Sequence, residues 1–336
     1  MVHIGIDLMG SDTPPKLFLE AILKIAKEMT KEVELTLFGT KQIQKHFLKA
    51  ISECKNIHFH LVKSSIFMHE NPLFAVRRKK KSSMCEGMKM LHKNEIDAFV
   101  STGNTGALMT SSKMILKTLP GVLRPALLTL MPTKKNLFVV LDVGANISCK
   151  SEYFVNFALM GMALQKIRGI EKPTVGLLNI GSEARKGTSD LQKAFKHLKK
   201  IHGRMKDEFT FHGNVEGKEI FKGKIDVLIT DGFTGNIFLK TAEGLGSFIL
   251  DSIQEHAKGV SQELQETLLK GLREHLHYGK YPGAMMIGAN GLVVKCHGNS
   301  SSIALENAIK GAIQLVKFEL IDKLKNTLKA YQDVWI

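Results

Sequence analysis

Several features are scarce in this chain of 336 residues, and each scarcity narrows what it can be. Aromatic residues make up 7%, with a single Trp, and no nucleic-acid recognition motif is present, so nucleic acid fits poorly as a partner. The 4 cysteines (Cys54, Cys85, Cys149 and Cys296) form no CxxC pair and read as reduced intracellular thiols, none with a neighbourhood that marks a nucleophile. Long apolar runs are missing: residues 157–164 fall far short of the ~20 needed to cross a bilayer. The opening MVHIGIDLMG reads as a buried strand and lacks the basic-then-apolar layout of a signal peptide, so a soluble, non-exported protein is expected. No G-x-x-x-x-G-K-[ST], no strand-borne G-x-G-x-x-G and no G-x-S-x-G occurs, which disfavours a P-loop ATPase, an NAD-binding Rossmann enzyme and a serine acyl-enzyme. His58 with His60, and His275 with His277, lack a third ligand at suitable spacing, and no metal is expected.

Acidic residues are also the minority charge, 32 against 47 basic ones, for a formal net charge of +15. That excess calls for phosphate ligands, an anionic membrane or an acidic protein, unless it is lysine-rich background. The remaining composition, 44% hydrophobic and 24% charged, is that of a globular chain with a sizeable core. Short β-branched runs at 2–6, 34–38, 98–101, 126–130, 137–141, 174–179, 226–230 and 291–295 alternate with helical periods at 16–28, 84–92, 105–117, 152–168, 189–200 and 235–252. No linker divides them, so one domain over 1–336 is expected, a doubly wound α/β protein with a mostly parallel sheet. Residues 235–277 break the rhythm as two consecutive helices, the second with Leu264, Leu268, Leu272 and Leu276 in one i+4 row. This projecting hairpin suits dimer packing or membrane contact. Glu263, Glu266 and Glu274 on its second helix favour the dimer.

Glycine is where the chemistry is concentrated. Nearly every strand runs into a glycine-containing polar turn: DLMGSD, STGNTG, DVGAN, NIGSEARKG, TDGFTGN and CHGNSSS. In parallel sheets the carboxyl ends of strands line the ligand edge, and a following helix N-terminus offers unpaired N–H groups to an anion. Two units look like copies: EIDAFVSTGNTG (95–106) aligns with KIDVLITDGFTG (224–235). Each delivers Gly-x-Thr-Gly into a helix, predicting twin phosphate cradles from Gly103, Asn104, Thr105 and Gly106 and from Gly232, Phe233, Thr234 and Gly235. Lys186, inside the loop ending at Gly187, would neutralise phosphate or an oxyanion at the same edge. The run Arg77, Arg78, Lys79, Lys80 and Lys81 is either a solvated face or a docking patch for an acidic protein or lipid head groups.

Several of these blocks, IDLMGSDTPP, DAFVSTGNTGALM, LDVGAN, GLLNIGSEARKG, GNVEG, DVLITDGFTGNIFLKTAEG and HGNSS, together resemble in order the PlsX family of bacterial phosphate acyltransferases, over essentially the whole chain. The resemblance implies a Rossmann-like α/β/α sandwich acting as a cytoplasmic homodimer, peripherally membrane-associated, without metal or nucleotide cofactor. The implied reaction converts long-chain acyl–acyl carrier protein and inorganic phosphate into acyl phosphate and free carrier, in phospholipid synthesis upstream of glycerol-3-phosphate acylation. On this reading Lys186 and Asn236 are catalytic, Asn146 and His297 join the cradle residues in binding phosphate or substrate, and Arg77 to Lys81 dock the carrier. A CoA-dependent phosphate acetyltransferase and a non-catalytic membrane-recruited scaffold are the alternatives. Ser11, Ser148 and Pro282 depart from the family pattern, away from the catalytic pair.

Overall fold

The structure, a computed structural model, describes residues 1–256, 283–296 and 301–331. Its strands are β1 (Val2–Asp7), β2 (Val33–Gly39), β3 (Ile57–Leu61), β4 (Ala98–Ser101), β5 (Ala126–Pro132), β6 (Leu137–Leu141), β7 (Thr174–Leu178), β8 (Thr210–Val215), β9 (Val227–Ile229), β10 (Ala284–Ile287) and β11 (Leu292–Lys295). Its helices are α1 (Leu19–Glu28), α2 (Lys41–Glu53), α3 (Pro72–Arg78), α4 (Ser83–His92), α5 (Thr105–Ile115), α6 (Ser151–Ile167), α7 (Ser189–Arg204), α8 (Gly232–His256), α9 (Ser302–Lys317) and α10 (Leu320–Lys329). Eight of the strands fall where the β-branched runs predict them. β3 and β8 are not among the predicted runs, because His58, His60 and His212 interrupt their apolar patterns. The chain packs as two compact units, Met1–Thr129 with Tyr281–Ile336, and Leu130–Lys280.

In the first unit the strand order is β3-β2-β1-β4-β11-β10-β5. Strands β3, β2, β1, β4 and β11 are mutually parallel, while β10 runs antiparallel to both its neighbours. The central strands are buried on both faces, as parallel strands between helical layers must be. Helices α1 and α9 pack together, and α4 and α5 form a second packed pair. The sequence direction changes between β1 and β4: β2 and β3 lie on one side, β4 and β11 on the other. Such a reversal opens a crevice beyond the carboxyl ends of the two strands.

The second unit is a parallel four-stranded arrangement, β6-β9-β7-β8. Helix α6 is apolar nearly all round and buried along most of its length, as expected of a central helix packed against β6, β9 and α7. Helix α8 behaves differently. Of its 25 residues only Gly232, Gly235, Leu239 and Gly246 are buried, while Phe233, Ile237, Leu245 and Phe248 are exposed. The predicted second helix of the hairpin, with Leu264 to Leu276, lies outside the described residues.

Candidate functional site

The predicted site residues fall on two strand-end edges, one in each unit. In the second unit the edge is built from the turns after β6, β7 and β9. Asp142, fully buried at the end of β6, organises the first: its carboxylate accepts from the amides of Gly144 (3.2 Å), Ala145 (3.0 Å) and Asn146 (2.7 Å), and from Asn146 Nδ2 at 2.8 Å. Asn146 is therefore bound into its own turn. Its carbonyl also accepts from Gly232 N at 2.7 Å, locking the turn to the start of α8. This contact leaves no space for a side chain at Gly232, where a Cβ would sit 2.7 Å from that carbonyl oxygen. A Cβ on Gly235 would overlap the Asp142 carbonyl.

The turn after β7 is held by two side-chain amides, one of its own and one from β8. Asn179 Nδ2 donates to the Lys186 carbonyl at 3.1 Å, and Asn214 Nδ2 to the Glu183 carbonyl at 2.8 Å. Lys186 is exposed, its stem lying over Gly181. Asn236 is exposed in the first turns of α8 and faces Gly144, whose φ of +133° is a backbone conformation that favours glycine. Among the described residues, the Lys186 ammonium and the Asn236 amide have no hydrogen-bond partner, whereas the side chains of Asp142, Asn146, Asn179 and Asp231 are bonded into the turns.

The anion cradle predicted at the start of α8 is narrower than its sequence suggests. Asp231 caps the helix: its carboxylate accepts from Thr234 N at 2.8 Å and from the Thr234 hydroxyl at 3.0 Å, and Gly235 N donates to the Asp231 carbonyl at 2.9 Å. Of the amides of Phe233, Thr234 and Gly235, that of Phe233 remains for a ligand.

The first unit's edge carries Gly103, Asn104, Thr105 and Gly106. Asn104 is the N-cap of α5, accepting from Ala107 N at 3.0 Å. Its Nδ2 reaches the carbonyls of Phe67, Met68 and Glu70 at 3.0–3.3 Å, so this side chain ties down the 67–70 segment. The amides of Thr105 and Gly106 are the first-turn groups with no intrahelical acceptor. Deeper in the same edge, Asp7, Ser101 and Lys295 stand level in the register of β1, β4 and β11. All three are buried. Burial pushes the Asp7 carboxyl up to about 6, against hydrogen bonds from Ser83, Met9 N and Ser101 and the charge of Lys295. Burial likewise holds the Cys296 thiol up at about 12 and raises Cys85, so neither offers a thiolate nucleophile.

The copied segments share structure more than chemistry. Asp97 and Asp226 each accept an amide at the start of a neighbouring strand, His3 N at 2.7 Å and Thr174 N at 2.8 Å, so the shared Ile-Asp extends a parallel ladder in each unit. The helices then start out of step, at Thr105 in one copy and at Gly232 in the other. The reason is the capping residue: Asp231 caps α8, whereas Thr102 at the matching position does not cap α5 and Asn104 does.

The basic cluster divides in two. Arg77, Arg78, Lys80 and Lys81 are exposed. Lys79 is turned inward, bonded to Glu70 at 2.7 Å and to the Ser65 carbonyl at 2.8 Å, with its ammonium 5.4 Å from the centre of the Phe67 ring. His297 lies outside the described residues. No metal-holding cluster of His, Cys, Asp or Glu occurs among the described residues, and no helix among them is long and apolar enough to cross a membrane. Sequence reasoning passed over the acids: Asp7, Asp142 and Asp231 each end or follow a strand and bind the turn beyond it, and their signal was an Asp just ahead of a glycine turn.

Residues 2–323 match the family described as "Fatty acid synthesis protein". A phosphate acyltransferase of Chlamydia pneumoniae is 40% identical over 334 residues, 97% of this chain and 99% of that one. Another, from Thermosipho melanesiensis, is 39% identical over 340 residues, 100% of this chain and 98% of that one. Among solved structures, a phosphotransacetylase from Streptococcus pyogenes superposes with a TM-score of 0.61 at 16% identity, covering 94% of each chain, a likeness of fold.

Proposed function

Since the chain belongs to the fatty acid synthesis protein family, whose matched relatives are phosphate acyltransferases, it is an acyltransferase, and we propose that its substrates are a long-chain acyl–acyl carrier protein and inorganic phosphate. What supports this reading is that Lys186 and Asn236 both follow neighbouring strands and are exposed. Lys186 lies in the turn after β7 and Asn236 in the first turns of α8, after β9, while Asp142 with Asn146, Asn179 and Asp231 hold the turns after β6, β7 and β9. A cation and an amide donor, fixed by a rigid frame and open to solvent, suit an oxyanion.

In the proposed reaction an oxygen of HPO₄²⁻ attacks the thioester carbonyl carbon. The new C–O bond pushes the carbonyl electron pair onto oxygen, and collapse breaks the C–S bond. The sulfur leaves with the electron pair and takes the phosphate proton, giving acyl phosphate and the carrier thiol. Phosphate is itself the nucleophile, which agrees with the raised thiols of Cys85 and Cys296 and the missing serine elbow. Lys186 orients phosphate and offsets the developing charge, while Asn236 donates to phosphate or to the carbonyl oxygen. The Phe233 amide supplies a further anion contact in the second unit, and the Thr105 and Gly106 amides form an anion cradle of the first unit's own. The acidic carrier docks on Arg77, Arg78, Lys80 and Lys81, beside the exposed Phe74. The unburied apolar face of α8 is covered by a second copy of the chain or by membrane, and sedimentation of Phe248→Glu with liposome flotation separates the two.

Purified protein incubated with palmitoyl-carrier and phosphate should release free carrier, with acyl phosphate seen by mass spectrometry. Lys186→Ala and Asn236→Ala should each lose roughly 10²–10³ in rate. Near-full activity in both folded variants would remove the assignment, and release from acetyl-CoA but not from the carrier would move the enzyme to the CoA-dependent class.

A further inference from the structure

Asp7 is a buried carboxylate on which two glycine turns converge. Its Oδ1 accepts from Met9 N at 3.1 Å and so shapes the turn after β1. Its Oδ2 accepts from Ser101 Oγ at 2.9 Å, and Ser101 Oγ in turn accepts from Gly103 N at 3.1 Å. A serine hydroxyl has one proton to give. With Asp7 ionised, that proton points to the carboxylate and the oxygen lone pairs are left for Gly103. The two turns also touch: a Cβ on Gly103 would sit 3.2 Å from the Met9 carbonyl. Around the carboxylate stand Ser83 and Cys85 on α4 and Lys295 on β11, whose ammonium donates to the Cys296 carbonyl and at 3.5 Å to that of Thr102.

We infer that Asp7 is a positioning residue, acting through Ser101 to hold Gly103 and thereby aim the Thr105 and Gly106 amides at phosphate. The inference rests on the reading of the 103–106 turn as a phosphate cradle. Neither Asp7 nor Ser101 touches the ligand. What they govern is the direction in which the turn's amides face.

The test is steady-state kinetics of phosphate-dependent carrier release by Asp7→Asn and Ser101→Ala, with KM measured separately for phosphate and for acyl carrier, alongside melting curves. Both variants should raise the phosphate KM by roughly 10- to 100-fold, the size of loss that slight misplacement produces, with the carrier KM unchanged. The double variant should be little worse than the worse single one, because both break one relay. A phosphate KM within twofold of wild type in folded Ser101→Ala overturns the inference, even if Asp7→Asn fails to fold. An equal rise in both KM values also overturns it, because it marks a general disturbance. A wild type that releases no carrier in response to phosphate fells the functional reading, and the inference with it. An active wild type with an unaffected Ser101→Ala fells the inference alone.

Discussion

The Asp7 carboxyl offers a prediction of stability with a sign that runs against the usual carboxylate. Its proton affinity in the folded protein, at about 6, lies above the ordinary 3.8. A group raised on folding contributes stability that is fully present below the unfolded value and is lost as pH climbs through the folded one. Asp7 therefore weighs against the folded state at neutral pH, and acidification should relieve that weight. The full difference of about 2 units corresponds to about 3 kcal/mol. About 1 kcal/mol of it should be recovered between pH 7 and 5, and about 2 kcal/mol by pH 4. Asp7→Asn cannot titrate, so subtracting its unfolding free energy from that of wild type at each pH isolates this group. Chemical denaturation at pH 7, 6, 5 and 4 should show the difference moving in favour of wild type as pH falls. A flat difference, or one moving the other way, would refute the reasoning, because it would mean the carboxylate is solvated or firmly paired. Activity should move oppositely, the phosphate KM rising below about pH 6 as the protonated carboxyl becomes a weaker acceptor for the Ser101 proton.

Other substitutions test the frame around Lys186 and Asn236. Gly235→Ala would drive a methyl into the Asp142 carbonyl, with Thr230 Cγ2 at 2.7 Å, and should cost roughly 3 kcal/mol or more, read as a large drop in melting temperature. Gly144→Ala meets only ordinary contacts with Asn236, at 3.7 Å, but has a φ of +133°. Backbone strain of about 1–3 kcal/mol is expected there, with a fall in activity beyond the loss of stability. Lys79→Ala should lower stability by about 1 kcal/mol through Glu70 while leaving the carrier KM alone. Arg78→Glu should do the reverse, raising the carrier KM in a salt-sensitive way without shifting the melting curve.

How far the fold was legible depended on how each element is buried. Strands buried on both faces, such as FVS in β4 and LFVVL in β6, announce themselves as unbroken apolar runs, and their predicted bounds agree with those observed. Helix α2 did not, because of its 13 residues only Phe47 and Ala50 are buried and the rest mix polar, charged and unburied apolar residues. Strand β10, AMMI, sits in a glycine-rich stretch and takes its extended shape from antiparallel pairing on both sides, information held elsewhere in the chain. At the site, glycine turns at strand ends were visible because backbone approach demands a missing Cβ. The destination of each amide was not, since whether a helix-end N–H meets a ligand or a neighbouring Asp depends on one capping side chain. Asp231 and Asn104 make that choice differently in two segments that otherwise align.

Strand β11 pairs with β4 on one side and β10 on the other, yet it is synthesised nearly two hundred residues after β4. The first unit therefore cannot close while the ribosome is still translating its middle. Until β11 arrives, β4 presents an open edge of backbone donors and acceptors, the kind that recruits foreign strands. The second unit, continuous from Leu130 to Lys280, is complete before then and free to fold first. A nascent chain arrested before residue 292 would thus hold a finished second unit and an unsealed first one. Its Asp7 and Ser101 would be in place, but Lys295 would not.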